Sequence, residues 1–294
     1  MAQLSIVVTC TSTKCVRPLS ALMARNLPNG TIGRRLQAWQ SHLHSATQLT
    51  PLWELYGGPA WAQVEHLERT ARTCGWAPQL YVASAGLGLR RLESVGPAYA
   101  ATFSSGSPDQ VAQDLEGRTR WWDGLASFDG AQTLSELDGE VTLLVLGATY
   151  SAAMARDLTD EANRGRSMYL IGGANDLSAI HRVPVERRLR KALGGATTSL
   201  GPRTASAWLS LATPRSLGTR RHEQSWQRFV LENSADDSSH RERLSDAAVT
   251  EAVRGLLRVQ PFLSRTEALR IIRGQGFACE QRRFATLFTA LTAA

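Results

Sequence analysis

The sequence predicts an α/β protein, with a mainly parallel four-stranded sheet flanked by helices and a C-terminal three-helix module of helix-turn-helix type. Three observations lead there. Four short runs are nearly continuous in apolar residues, as expected of strands covered on both faces. Helical periodicities fall between them, and strand signals stop after about residue 200.

In chain order, the strands are "LSIVVTC" (4–10), "QLYVASA" (79–85), "VTLLVLG" (141–147) and "SMYLIGG" (167–173). Between them, Val64, Leu67, Ala71 and Cys74 predict a helix over Trp61–Gly75, and Val111 and Leu115 predict another over Asp109–Trp122. "ENSADDSSH" (232–240) has no apolar period and reads as a linker, so the expected division is an α/β catalytic domain 1–215, a linker region 216–240 and a helical module 241–294. In that module Val249, Val253, Leu256 and Leu257 mark a first helix. Ser264 and Glu267 form a capping box that opens a second, which closes at Gly274 and Gly276. Phe284, Leu287, Phe288 and Leu291, spaced i, i+3, i+4 and i+7, mark the third.

Composition narrows the class. The 294 residues carry a formal charge of +7, and 31 of the 33 basic residues are arginine. That balance favours a polyanionic partner, here DNA, although GC-rich coding also raises arginine. From 241 to 294 there are nine Arg against five Asp and Glu, with Gln281, Arg282 and Arg283 where a recognition helix presents side chains to a groove. Arg265 and Arg273 of the preceding helix, and Arg17 of the first loop, complete the expected DNA-contacting set. No apolar stretch approaches the ~20 residues of a membrane helix, and the start has no basic n-region, so a cytoplasmic protein without a membrane partner is expected. Cys10, Cys15, Cys74 and Cys279 have neither disulfide-frame nor zinc spacing; no metal, cofactor or obligate protein partner is implied.

All four strands end in small or polar residues, and in an open α/β sheet those ends form the ligand crevice. Lys14 lies in the first loop and is one of only two lysines. A lysine's compact charge can be tuned by its surroundings where arginine's cannot, which makes Lys14 the leading candidate for chemistry: a phosphate contact, a hydrogen bond to a leaving group, or an amine nucleophile. No GxxxxGK[ST], HExxH or GxSxG is present, and the glycines of "SAGLGL" fall short of a dinucleotide fingerprint.

The Cys10-x3-Lys14 loop followed by Pro18 and Ser20, with the later "SAGLGL…PAYAATF" (84–103), resembles the catalytic core of archaeosine-synthase-type and deazaguanine-DNA-modifying proteins. It is also similar to related phage-defence proteins, among them DNA glycosylases that remove bulky modified cytosines such as glucosylated hydroxymethylcytosine. The resemblance covers roughly residues 4 to 176. In the archaeosine-type core the cysteine adds to a nitrile, which would fall to Cys10. Thr9, where that pattern has Pro, and Leu19, where it has an aromatic, depart from it.

The resemblance to the glycosylases implies base excision from DNA, which asks for a pocket that holds a flipped base by stacking and edge contacts. Tyr99, Phe103, Tyr150 and Trp53 or Trp61 are the candidate faces; Thr11, Ser12, Ser84, Gly86, Thr102 and Asn175 are the candidate polar and backbone contacts. A carboxylate to stabilise the sugar cation or activate water falls to Asp176 or Glu93. Each has a plainer alternative: Cys10 as a small buried residue, Glu93 as a solvated loop residue, and Asp176 as the cap of a helix starting near Leu177.

Overall fold

The structure, a computed structural model, describes residues 1–234, 242–261, 263–275 and 277–292. The chain divides into two compact units between Ser234 and Ala235.

The first unit is built on a six-stranded sheet. Its strands are β1 (Ala2–Thr9), β2 (Trp76–Ser84), β3 (Gly88–Arg91), β4 (Val141–Leu146), β5 (Ser167–Gly172) and β6 (His181–Val183), in the spatial order β3-β2-β1-β4-β5-β6. All pairs are parallel except β2 with β3. The expected four strands are thus the central four. The two additions are short and lie at the edges, where a strand needs fewer apolar residues: β3 is half arginine, and β6 pairs through only three residues.

Continuous apolar runs do mark strands covered on both faces: Leu4, Ile6, Val7 and Val8 of β1 are all at most 1% exposed. Each such side chain contributes about 1.5–3 kcal/mol relative to leaving it in water. The flanking helices are α1 (Ile32–His44), α2 (Ala62–Thr73), α3 (Leu115–Leu125), α4 (Ala148–Ala153), α5 (Ala155–Asn163), α6 (Leu200–Ser210) and α7 (Arg220–Asn233). Helix α2 buries Val64, Leu67 and Ala71 as its spacing requires, and the chain then turns at Gly75, whose φ of 90° suits glycine.

Two expectations are corrected. The helix expected from Asp109 begins at Leu115, because Asp109 is engaged by Arg25 in a forked ion pair, while Asp114 caps the helix by accepting from Gly117 N at 2.7 Å. The linker expected from 216 contains α7, which Thr219 caps and which buries Trp226 and Val230 in the core. Few apolar residues were needed to hold it, so its period is faint in sequence. Residues 235–240 of that span lie outside the described residues.

The second unit has its own core. Helices α8 (Asp246–Val259), α9 (Arg265–Gly274) and α10 (Gln281–Thr292) pack Val249, Val253, Ala268, Ile272, Phe284 and Phe288 together. Ser245 caps α8, and Ser264 Oγ caps α9 by accepting from Glu267 N while bonding the Glu267 carboxylate at 3.0 Å. The expected closing residue Gly276 lies outside the described residues. Glu242–Arg243 and Phe277–Ala278 form a short parallel pair. Among the described residues no helix is long and apolar enough to cross a membrane.

Candidate functional site

The chain leaves β1 to build β2 on one side, then crosses to β4, β5 and β6 on the other, so the topological switch point lies between β1 and β4. That is where doubly wound sheets bind ligands. Thr9 Oγ1 spans it, 3.4 Å from both Val145 O and Gly147 N. Beside it, Cys10 Sγ lies 3.1 Å from the hydroxyl of Tyr150, carried on α4 directly after β4. Phe103 packs edge-on against Tyr150, ring centroids 5.0 Å apart.

Two buried tryptophans shape the loop after β2. Trp39 Nε1 donates to Gly86 O at 2.7 Å and Trp121 Nε1 to Ala85 O at 2.8 Å, so both carbonyls are satisfied by buried indoles. Ser84 Oγ accepts from Gly86 N and Leu87 N at 3.1 and 2.9 Å and donates to the Tyr99 hydroxyl at 2.6 Å. Tyr99 in turn shares a 2.9 Å bond with the hydroxyl of Tyr56. Gly86 is required here: a Cβ on it would stand 2.3 Å from the Tyr99 ring.

Lys14 sits against this network. Its Nζ lies 4.5 Å from the ring centroid of Tyr99 and 4.9 Å from that of Tyr56, and donates to Thr11 O at 2.5 Å. Thr11 Oγ1 closes the loop by donating to Thr13 O and Gly57 O at 3.0 and 3.2 Å. Burial pushes the Lys14 pKa below its usual value, and the nearby Cys10 side chain works the other way. Burial also raises the phenols of Tyr56, Tyr99 and Tyr150, so they stay neutral at ordinary pH and offer the ammonium no anion. The result is an amine whose charged form is less favoured than that of an exposed lysine, walled by aromatic faces and close to a thiol.

Of the residues singled out in the sequence, Cys10, Thr11, Lys14, Ser84, Gly86, Tyr99, Phe103 and Tyr150 come together. Others do not. Ser12 and Arg17 are exposed in the first loop. Thr102 Oγ1 accepts from Ser104 N within its own turn. Gly173 N and Ala174 N anchor the loop after β5 to Leu146 O and Ser151 Oγ, both at 2.8 Å, but Asn175 and Asp176 lie in an exposed turn. No helix starts at Leu177 for Asp176 to cap. Glu93 is carried away because β3 runs antiparallel: Leu92 N bonds Leu80 O, four residues and about 13 Å along β2 from Ser84. Its carboxylate is 71% exposed and faces Arg91 at 4.0 Å.

Tyr56 and Trp61 complete the wall, their rings 4.8 Å apart, and Trp61 Nε1 donates to Trp53 O at 3.1 Å. Of these, Tyr56 was missed in the sequence. Its signal was the double glycine after it, Gly57–Gly58, which lets the strand-like bridge between Lys14 and Tyr56 form against the first loop. In the helical unit, Arg273 donates to Cys279 O and Arg283 to Asp246 Oδ1 and Leu244 O, so both are engaged internally. Arg265, Gln281 and Arg282 are exposed.

This arrangement defines a class: a doubly wound, mostly parallel α/β sheet with a lysine–tyrosine–cysteine cluster at its switch point. No protein-family model, curated protein or solved structure matches the chain.

Proposed function

We propose that the chain is a DNA glycosylase that flips a modified nucleobase of phage DNA into this crevice and releases it, leaving an abasic site. The observation that carries the reading is the buried amine of Lys14, held against Tyr56 and Tyr99 where burial lowers its pKa. The neutral amine attacks the anomeric carbon, the glycosidic bond breaks, and the base leaves with the bonding pair and takes up a proton. The nitrogen then gives its second proton to the ring oxygen, which leaves with its bonding pair as the sugar opens, so that lysine and sugar are joined as an imine, and water returns the amine and the abasic sugar. No carboxylate is needed in this route, in keeping with the exposed positions of Asp176 and Glu93. The aromatic walls supply stacking faces for an extruded base. The C-terminal unit serves as a helix-turn-helix-like DNA anchor through Arg265, Gln281 and Arg282.

The test is incubation with genomes of phages bearing different modified bases, mass spectrometry of freed bases, and borohydride trapping. One base species should be released, and reduction should link protein to DNA in the wild type but not in Lys14→Ala. Base release that persists undiminished in Lys14→Ala overturns the reading.

The 3.1 Å contact of Cys10 with Tyr150 favours a second reading, in which the thiol adds to the nitrile of a deazaguanine in DNA and the glycosidic bond survives. Cys10→Ala separates the two: base release persists under the first, and all turnover stops under the second.

A further inference from the structure

A second site lies at the other end of the sheet. One face of α2, with His66, Arg69, Thr70 and Thr73, forms one wall of a groove of about 890 Å³. Residues 210–216 and the start of α7, with Arg221 and Ser225, form the other. Cys74 also lines it, two residues before β2 begins at Trp76. Ser84, at the carboxyl end of the same strand, is eight residues farther on, about 26 Å away. A molecule in the groove therefore cannot touch Lys14.

The groove is one-signed. No Asp or Glu lines it. Of the nearby carboxylates of its two helices, Glu68 pairs with Arg72 at 2.6 Å and Glu223 lies beside His181 at 3.5 Å, while Glu65, one turn before Arg69, is exposed and does not line the groove. Arg69 and Arg221 make no ion pair among the described residues. The hydroxyls of Thr70, Thr73 and Ser225 rest on carbonyls one turn back, at 2.9 to 3.0 Å, and can rotate to donate to an incoming acceptor.

His222 makes the wall stiff instead of charged. Its Nδ1 accepts from Gly218 N at 3.1 Å, so the proton sits on Nε2, 2.9 Å from Trp208 O, and burial keeps the ring neutral. That bond ties the start of α7 to the end of α6.

We propose that this groove binds a small phosphorylated ligand of nucleoside di- or triphosphate size, with Arg69 and Arg221 as its phosphate contacts. Guanidinium forks bind phosphoryl oxygens in pairs, which suits them to this role. The volume lies within the ~300–1,000 Å³ of small-molecule sites and, between its two walls, gives room for one such molecule.

Calorimetric titration of the full chain with ADP, ATP and pyrophosphate tests this, with a short DNA duplex as a fourth titrant. At least one of the three phosphate probes should bind at one site per chain. Its affinity should fall about tenfold or more in Arg69→Ala and in Arg221→Ala, the loss expected when a charge-assisted pair is removed. Both substitutions are at exposed positions, and unchanged thermal unfolding without ligand checks that the variants fold. Absence of binding by all three probes, equal affinity in wild type and variants, or binding of the duplex alone each overturns the proposal. Base release is not the readout, so failure here leaves the reading of Lys14 standing.

Discussion

The loops that follow β1 and β5 both open on small and polar residues and carry a candidate catalytic group, Lys14 in one and Asp176 in the other, yet the fold treats these two groups oppositely. Lys14 is drawn under Tyr56 and Tyr99 and bonded to Thr11 O, whereas Asp176 is left in an exposed turn with no hydrogen bond among the described residues. The difference comes from what lies over each loop. Segment 97–114 folds back across the first, pinned by paired backbone bonds between Ala100 and residues 22–24 and by the Arg25–Asp109 ion pair. Among the described contacts, nothing comparable crosses the second. Reactivity at a strand end thus depends on a cover supplied from elsewhere in the chain, since burial is what moves a pKa.

The sharpest test of that contrast is Lys14→Ala. Loss of the amine should lower base release by roughly 100- to 10,000-fold, the range for removing a positioned proton-transfer or nucleophilic group. Lys14→Arg should fare no better, because a guanidinium stays charged and does not attack carbon. Steady-state release measured on the same modified DNA decides, and a loss of less than fivefold in either variant would place the chemistry elsewhere.

Next in size are changes to the cover itself. Gly86→Ala puts a methyl group 2.3 Å from the Tyr99 ring, and overpacking of this kind costs about 1–3 kcal/mol. Denaturant titration should show a lower midpoint at unchanged slope. Tyr99→Phe keeps the ring but removes the hydroxyl shared by Ser84 and Tyr56, stranding buried partners at a cost of about 1–3 kcal/mol. An unaltered midpoint in Tyr99→Phe would mean that the network is reached by water.

Titration separates the loops more gently. The folded pKa of Lys14 lies below its ordinary 10.5, so between the two values the unfolded chain holds a proton that the folded chain does not. Stability owed to this residue therefore rises with pH across that window; the penalty is complete below the folded pKa and gone above 10.5. Tyr56, Tyr99 and Tyr150 act oppositely above about pH 10, since their folded values are raised, but they do so in wild type and variant alike. The stability difference between Lys14→Met and wild type should consequently shrink as pH rises from the folded pKa of Lys14 to 10.5. A difference flat in pH would show that Lys14 is not desolvated.

Much of this was legible in sequence. The four central strands declare themselves because both their faces are covered, and the loops after β1 and β2 fall at one end of the sheet because parallel strands put them there. Three things were not legible. Strand β3 reads as arginines and a leucine, and only its antiparallel return shows that Glu93 is led away from the crevice. Helix α7 buries only Trp226 and Val230 as apolar residues, beside a histidine, His222, too sparse a signal against its polar neighbours. Tyr56 gains its role from a long-range bridge to Lys14, of which the sequence shows only the double glycine Gly57–Gly58 and not the partner.

The smallest expected effect closes the comparison from the other side. Asp176→Asn removes the only ionisable group of the loop after β5 while keeping its size. Because the residue is exposed and unbonded among the described residues, stability should change by no more than ~0.5 kcal/mol. Base release should stay within about twofold, since an exposed carboxylate lacks the desolvated setting that general acid-base catalysis requires. Glu93→Gln belongs in the same experiment as a second exposed carboxylate, on the far side of β2. If Asp176→Asn alone lowered release a hundredfold, the loop after β5 would have to close over the crevice during turnover, and the two strand ends would act together after all.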